Sequence, residues 1–281
     1  MPAEQAKLIH VALKAERLFN IGPFEVTNSM IGALIASVIL LGAAWYFSRS
    51  SAIVPNRLQS LIELPIELLT GIVASSTSRW RGYVSLVVGL FLMILVANWL
   101  GLLPGVGTIG LKGQAGEIVP FVRPAAADLN FTLGLAIISF VVFVWWAIRL
   151  HGPIGYLKEL AGEPKVLAPL MFPIHLISEL SRLVSLSMRL FGNVFAGEVL
   201  LATMLALTTA VAFTLPLALF VPGVFLGLEL LFGAVQALVF ALLTMAYITL
   251  AIAEHQEGHA ADADHGENVA TDPSHSTPAP A

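Results

Sequence analysis

The sequence predicts an all-α, polytopic membrane protein with about five membrane-embedded helices and one interfacial amphipathic helix. The last two helices are expected to be long and tilted, paired as a hairpin. Three observations carry this. Hydrophobic residues make up 57% of the 281 positions and charged residues only 11%, against about a quarter charged in soluble domains. Several charge-free apolar runs reach 18 residues or more, enough for a bilayer core of about 30 Å. All five tryptophans, Trp45, Trp80, Trp99, Trp145 and Trp146, lie near the ends of those runs, as interfacial aromatic belts do.

Residues 1–29 have mixed charge and lack a signal-peptide core, so they read as an N-terminal tail. Residues 30–253 form the membrane domain. Its spans are residues 30–47, 83–103 and 131–148, then two longer ones at about 172–207 and 217–253. The excess length implies tilt or extension past the bilayer. Between the first two spans lies "RLQSLIELPIELLTGIVASS", Arg57–Ser76. Gln59, Glu63, Glu67 and Thr70 share one helical side there, and Leu61, Ile62, Leu68, Leu69 and Ile72 fill the rest. That pattern fits a helix lying in the membrane interface, with Pro65 as a kink or the start of a new turn. The alternative, a short sixth span, would place two glutamates in lipid.

From residue 254 to 281 the chain is polar, with six acidic residues, four histidines and no Lys or Arg. It reads as a disordered tail. His255, His259 and His265 offer at most a weak metal site, since nothing fixes their geometry. Regions 48–82 and 149–171 together carry seven basic residues, and the N-terminal tail and the 104–130 loop carry five. The difference favours the N-terminus outside and the C-terminus in the cytoplasm. No cysteine is present, which excludes disulfides, thiol catalysis and cysteine-bound metal. No basic patch points to nucleic acid, and no Gly-rich phosphate loop points to a nucleotide site. No cofactor is implied.

Ionisable residues inside spans are the candidates for function, because each costs about 2.5 kcal/mol or more to bury in lipid. Here they are Glu179, Arg182, Arg189, Glu198 and Glu229. Glu179 and Arg182 are three apart and could form a structural pair. Arg189 has no acid three or four positions away. It shares a stripe with Ser185 and Asn193, and Glu198 is half a turn off that stripe. Folding the last two spans into a hairpin about residues 208–216 brings Glu198 level with Glu229, and Arg189 nearly level with Gln236. The two levels are then about 13 Å apart. Buried carboxyls can exchange protons near neutral pH, whereas arginine stays a cation. This arrangement points to proton handling.

At these residues a family is recognisable. "SLSMRLFGNVFAGE" resembles the signature of subunit a of F-type ATP synthases, the membrane stator subunit. "ANWLGLLPG", "ADLNFTLGLA" and "VQALVFALLTMAYI" resemble the family's second-span end, third-span start and last helix, and "RLQSLIELPIELL" fits its interfacial helix. The resemblance covers most of residues 55–255. It implies two proton half-channels formed against a rotating ring of c subunits. Arg189 would be the barrier between them and would meet the ring carboxylate. It further implies that Asn193 is a polar neighbour, Gln236 the glutamine opposite the arginine, and Glu198 and Glu229 channel groups. Glu179 and His175 are two candidates for a further family acid. Implied partners are the c-ring, peripheral-stalk b-type subunits, the rest of the synthase and the lipid bilayer of a bacterial inner membrane. Some members carry sodium, a choice set largely by the c subunit.

Overall fold

A computed structural model describes residues 15–50, 57–76, 80–103, 106, 110–112, 118–162, 167–210 and 215–270. Among them are six α-helices and two short β-hairpins. The apolar runs become helices because lipid offers no partner for backbone N–H and C=O groups, and a helix pairs them within the segment. The chain opens with a hairpin of β1 (Arg17–Ile21) and β2 (Phe24–Thr27). Gly22 takes a positive φ of 62° at its two-residue turn, a conformation open to glycine at little cost. Residues 17–27 therefore have structure where the sequence predicts only a tail. The first long helix, α1 (Asn28–Ser50), follows at once. Asn28 fastens it to the hairpin: its N–H donates to the Glu16 carbonyl (3.1 Å), and its Oδ1 accepts from the Glu16 N–H (3.2 Å).

Helix α2 (Arg57–Ser76) has the bounds of the predicted amphipathic segment and continues through Pro65. Leu69 and Val73, four apart, are fully buried, while Glu63 and Glu67 are exposed. Then come α3 (Val84–Gly101), a hairpin of β3 (Gly110–Lys112) and β4 (Ile118–Pro120), and α4 (Leu129–Ala161). Helix α4 outruns its predicted end at 148. It holds a break at Gly152, φ 73°, before Pro153, and a second helical segment continues beyond. Helices α5 (Ala168–Ala210) and α6 (Leu215–Ala270) form the expected long pair. Helix α6 runs past residue 253, where the sequence predicts a disordered tail. Extending an existing helix needs no new nucleus. The side chains beyond residue 250, including the three tail histidines, lie outside the described set.

Five helical segments are long and apolar enough to cross a membrane: Asn28–Arg49, Val84–Gly101, Leu129–Lys158, Ala168–Leu207 and Phe220–Leu250. Helix α2 is not among them. Helices α3 to α6 pack around one core that includes Leu69, Tyr83, Ile94, Leu190, Phe240 and Ile248, and α1 leans on α3 through Ala36 and Ala97. The bundle exposes large apolar side chains, Leu34, Leu41, Ile177 and Leu231 among them, as a lipid-facing surface requires. Polar contacts lie between helices. The Ser139 hydroxyl donates to Thr244 Oγ1 (2.8 Å) between α4 and α6. Asn98 Nδ2 and Trp99 Nε1 on α3 donate to the Gly233 and Leu230 carbonyls of α6 (each 3.1 Å). Interhelical hydrogen bonds and close packing hold helices together where lipid removes the hydrophobic drive.

Candidate functional site

The ionisable residues of the last two spans fall at three levels along α5. At the first, toward its C-terminal end, Glu198 and Glu229 come together as the hairpin folding expects. Gly197 faces the Glu229 side chain so closely that an added Cβ would lie 2.5 Å from Oε1. The absence of a side chain at 197 is what admits this carboxyl between the helices. Glu229 Oε2 is buried without a hydrogen-bond partner, and a cavity beside it is lined by Asn98, Pro124, Asn193 and Gly233.

This level also holds a cation that the helical pattern does not announce. Arg123 sits just before a short 3₁₀ turn, Ala125–Ala127, at the end of the α3–α4 connection. Three fully buried alanines let that turn press in among the helices. From there Arg123 Nη2 donates to Glu198 Oε2 at 2.9 Å, and its Nε lies 3.3 Å from both carboxylate oxygens. The Arg123 side chain is 5% exposed and that of Glu198 26%. Sequence reasoning counts Arg123 only as a loop charge. Its one local mark is the Arg-Pro step, and no spacing rule links a loop residue to position 198.

At the middle level stands Arg189. It is exposed on the outer surface of α5, and no hydrogen bond or ion pair to it is found among the described residues. Its stripe is exposed too: Ser181, Ser185, Gly192, Asn193 and Ala196. Gln236 is buried, with Nε2 unpaired. The register of α5 and α6 follows from Gly197 against Glu229 and Arg182 against Tyr247. It places Arg189 less than one turn beyond Gln236. No hydrogen bond joins the two residues, because the guanidinium faces outward and the amide inward.

The third level, toward the N-terminal end of α5, contains Glu179, Arg182 and His175. Glu179 and Arg182 do not form the ion pair that their spacing allows. Tyr156 of α4 donates its hydroxyl to Glu179 Oε2 at 2.7 Å, and the Arg182 guanidinium lies over the Tyr247 ring, 5.2 Å from its centroid. An arginine over an aromatic face is held electrostatically by the ring quadrupole. His175 Nδ1 is 3.0 Å from the Leu160 carbonyl. Among the described residues, no group of three or more metal-ligating side chains converges.

Residues 30–249 match the profile of the family described as ATP synthase A chain. The chain is 34% identical to ATP synthase subunit a of Mycobacterium ulcerans over 239 residues, which cover 83% of this chain and 90% of that one. To the protein of the same name from Gluconobacter oxydans it is 36% identical, over 81% of this chain and 88% of the relative. A third, from Aliarcobacter butzleri, is 35% identical over 79% and 89%. The matched stretch contains all three levels of the site.

Proposed function

The chain belongs to the ATP synthase A chain family, and on that premise we propose that it is the stator subunit of the membrane sector of an F-type ATP synthase, forming two proton half-channels against a c-ring. The observation that carries this is the position of Arg189: a permanent cation, exposed on an apolar span, with no counter-charge paired to it among the described residues. A cation in that place needs a partner from outside. The small and polar residues around it, Ser181, Ser185, Gly192 and Ala196, allow another helix to approach closely.

In this reading a proton enters on the side of the α3–α4 connection, past Asn193, Glu198 and Glu229. It passes to a carboxylate of a c subunit, and the neutral site then turns through lipid. After rotation the proton leaves on the other side, toward Glu179 and His175. Arg189 lies about 13 Å from Glu198 along α5 and about 15 Å from Glu179. It meets the deprotonated ring carboxylate and repels a proton moving straight across. Gln236 packs behind it. The distribution of basic residues favours an outer N-terminus and a cytoplasmic C-terminus, and peripheral-stalk b-type subunits would hold the stator still. The coupled ion is taken as H⁺.

Arg189→Ala in the assembled complex tests the reading. The expected result is intact assembly with ATP-driven proton pumping below about a tenth of the unsubstituted level, as for loss of a group essential to the transfer step. Normal coupled pumping would rule the proposal out.

A further inference from the structure

Two glutamates stand at one level of the access path, but their surroundings differ. Glu198 receives the fork of Arg123, with contacts from Nε and Nη2 at 3.3 and 2.9 Å. Charge-assisted contacts of this kind favour the ionised carboxylate, and the guanidinium does not give up its proton. Protonating Glu198 would leave Arg123, 4% exposed as a residue, as an uncompensated buried cation, which is costly. Arg123 is also fixed in place. Pro124 packs against Gly101, and the three alanines that follow are fully buried. The arginine therefore cannot retreat to water when its partner is neutralised.

Glu229 has no such clamp. Its Oε2 is buried and has no donor among the described residues. A protonated carboxyl or a channel water would fit that oxygen better than a fixed carboxylate does. Among the charged groups on the elements around it, α5 carries Glu198 and Arg189, with Glu179 and Arg182 farther along, and the connection carries Arg123, with Asp128 at its end. Within the bundle, α3 offers only neutral side chains such as Asn98, and α6 has no other charged residue between Leu215 and Leu250.

We infer that Arg123 is a positioning residue that holds Glu198 as a standing carboxylate, so that Glu229 alone of the pair takes up and releases the proton in transit. This deepens the channel reading and rests on it. In the step itself, a proton leaves channel water for a Glu229 oxygen. It then passes from Glu229 to the ring carboxylate, and Glu229 is left ionised again. Glu198 and Arg123 supply a fixed, internally neutral wall beside that path.

ATP-driven pumping by the whole complex in inverted vesicles, followed across pH, tests the assignment. Arg123→Gln should lower pumping about tenfold or more, since it leaves the half-buried Glu198 carboxylate without its partner. Arg123→Gln combined with Glu198→Gln should regain most of that loss, because both charges leave together. Glu229→Gln should stop pumping in either background. Glu229→Asp should shift the pH profile, whereas Glu198→Asp should lower the rate without moving it. If Arg123→Gln prevents assembly, the two aspartate profiles still decide. The inference is overturned if Glu198→Asp moves the profile as Glu229→Asp does, or if the double variant is no better than Arg123→Gln in an assembled complex. Normal pumping in Arg189→Ala would instead remove the channel reading beneath it. Loss of coupling there, with Glu198 and Glu229 behaving alike, would remove only the present inference.

Discussion

Two glycines on α5, five residues apart, carry opposite constraints. Gly197 faces inward: a Cβ there would come within 2.5 Å of Glu229 Oε1 and 2.9 Å of its Cδ. Gly192 faces outward, and a Cβ there meets nothing within 4 Å in this chain. Gly197→Ala should therefore displace the Glu229 carboxyl. Proton pumping is expected to fall about tenfold while the subunit still assembles, because a misplaced reacting group costs rate before it costs fold. Gly192→Leu should leave the packing of this chain unchanged. It should still reduce pumping, because a large side chain would stand where the proposed ring would approach Arg189. Pumping rates and complex recovery from the same membranes would check both, and normal pumping in Gly197→Ala would show that Glu229 has room to spare.

At the level of elements, the contacts that hold the helices in register are few and polar. Thr244 is fully buried and accepts from Ser139 between α6 and α4, while its own hydroxyl lies 3.0 Å from the Phe240 carbonyl. Thr244→Val keeps the shape and removes both contacts, leaving the Ser139 hydroxyl without that acceptor. A loss of about 0.5–1.5 kcal/mol is expected, in the range of interhelical hydrogen bonds in membranes, read as lower thermal stability in detergent. Most of the helical framework was legible beforehand, since chain length against bilayer thickness is a strong constraint. The span cores and both bounds of α2 follow from apolar runs and spacing alone. The β1–β2 hairpin was missed although Gly22-Pro23 is a turn signal, because its strands are short and the first apolar run dominates the reading. The Glu198–Glu229 level was legible because both residues lie on helices of one hairpin, where residue counting gives depth. Arg123 was not. It reaches Glu198 from a connection whose path depends on how three alanines pack, and neither helical period nor charge count contains that information.

At the scale of the whole molecule, polar groups form an inner seam while Arg189 stands on the outer surface of α5. Glu198 and Glu229 find their surroundings within the bundle, as does Glu179 through Tyr156. Among the described residues of α5 and α6, the deep charge left facing outward is Arg189, the one that the proposed ring would meet. This geometry makes a directional expectation about contact. Cysteines placed at Ser185 and Asn193, both exposed beside Arg189, should form disulfides with cysteines on the facing helix of a c subunit. Cysteines at Leu186 and Leu190, which are 3% and 0% exposed, should not. A disulfide requires Cα atoms within about 7 Å, so the bond reports close helix packing rather than passing proximity. This chain has no cysteine of its own, so any disulfide it forms must use the introduced residue, and a complex lacking the c-subunit cysteine is the control. Oxidation of the assembled complex in membranes, followed by size analysis of this chain, would read the result. Cross-links from the buried pair, with none from the exposed pair, would place the ring against a different face and leave Arg189 without its proposed partner.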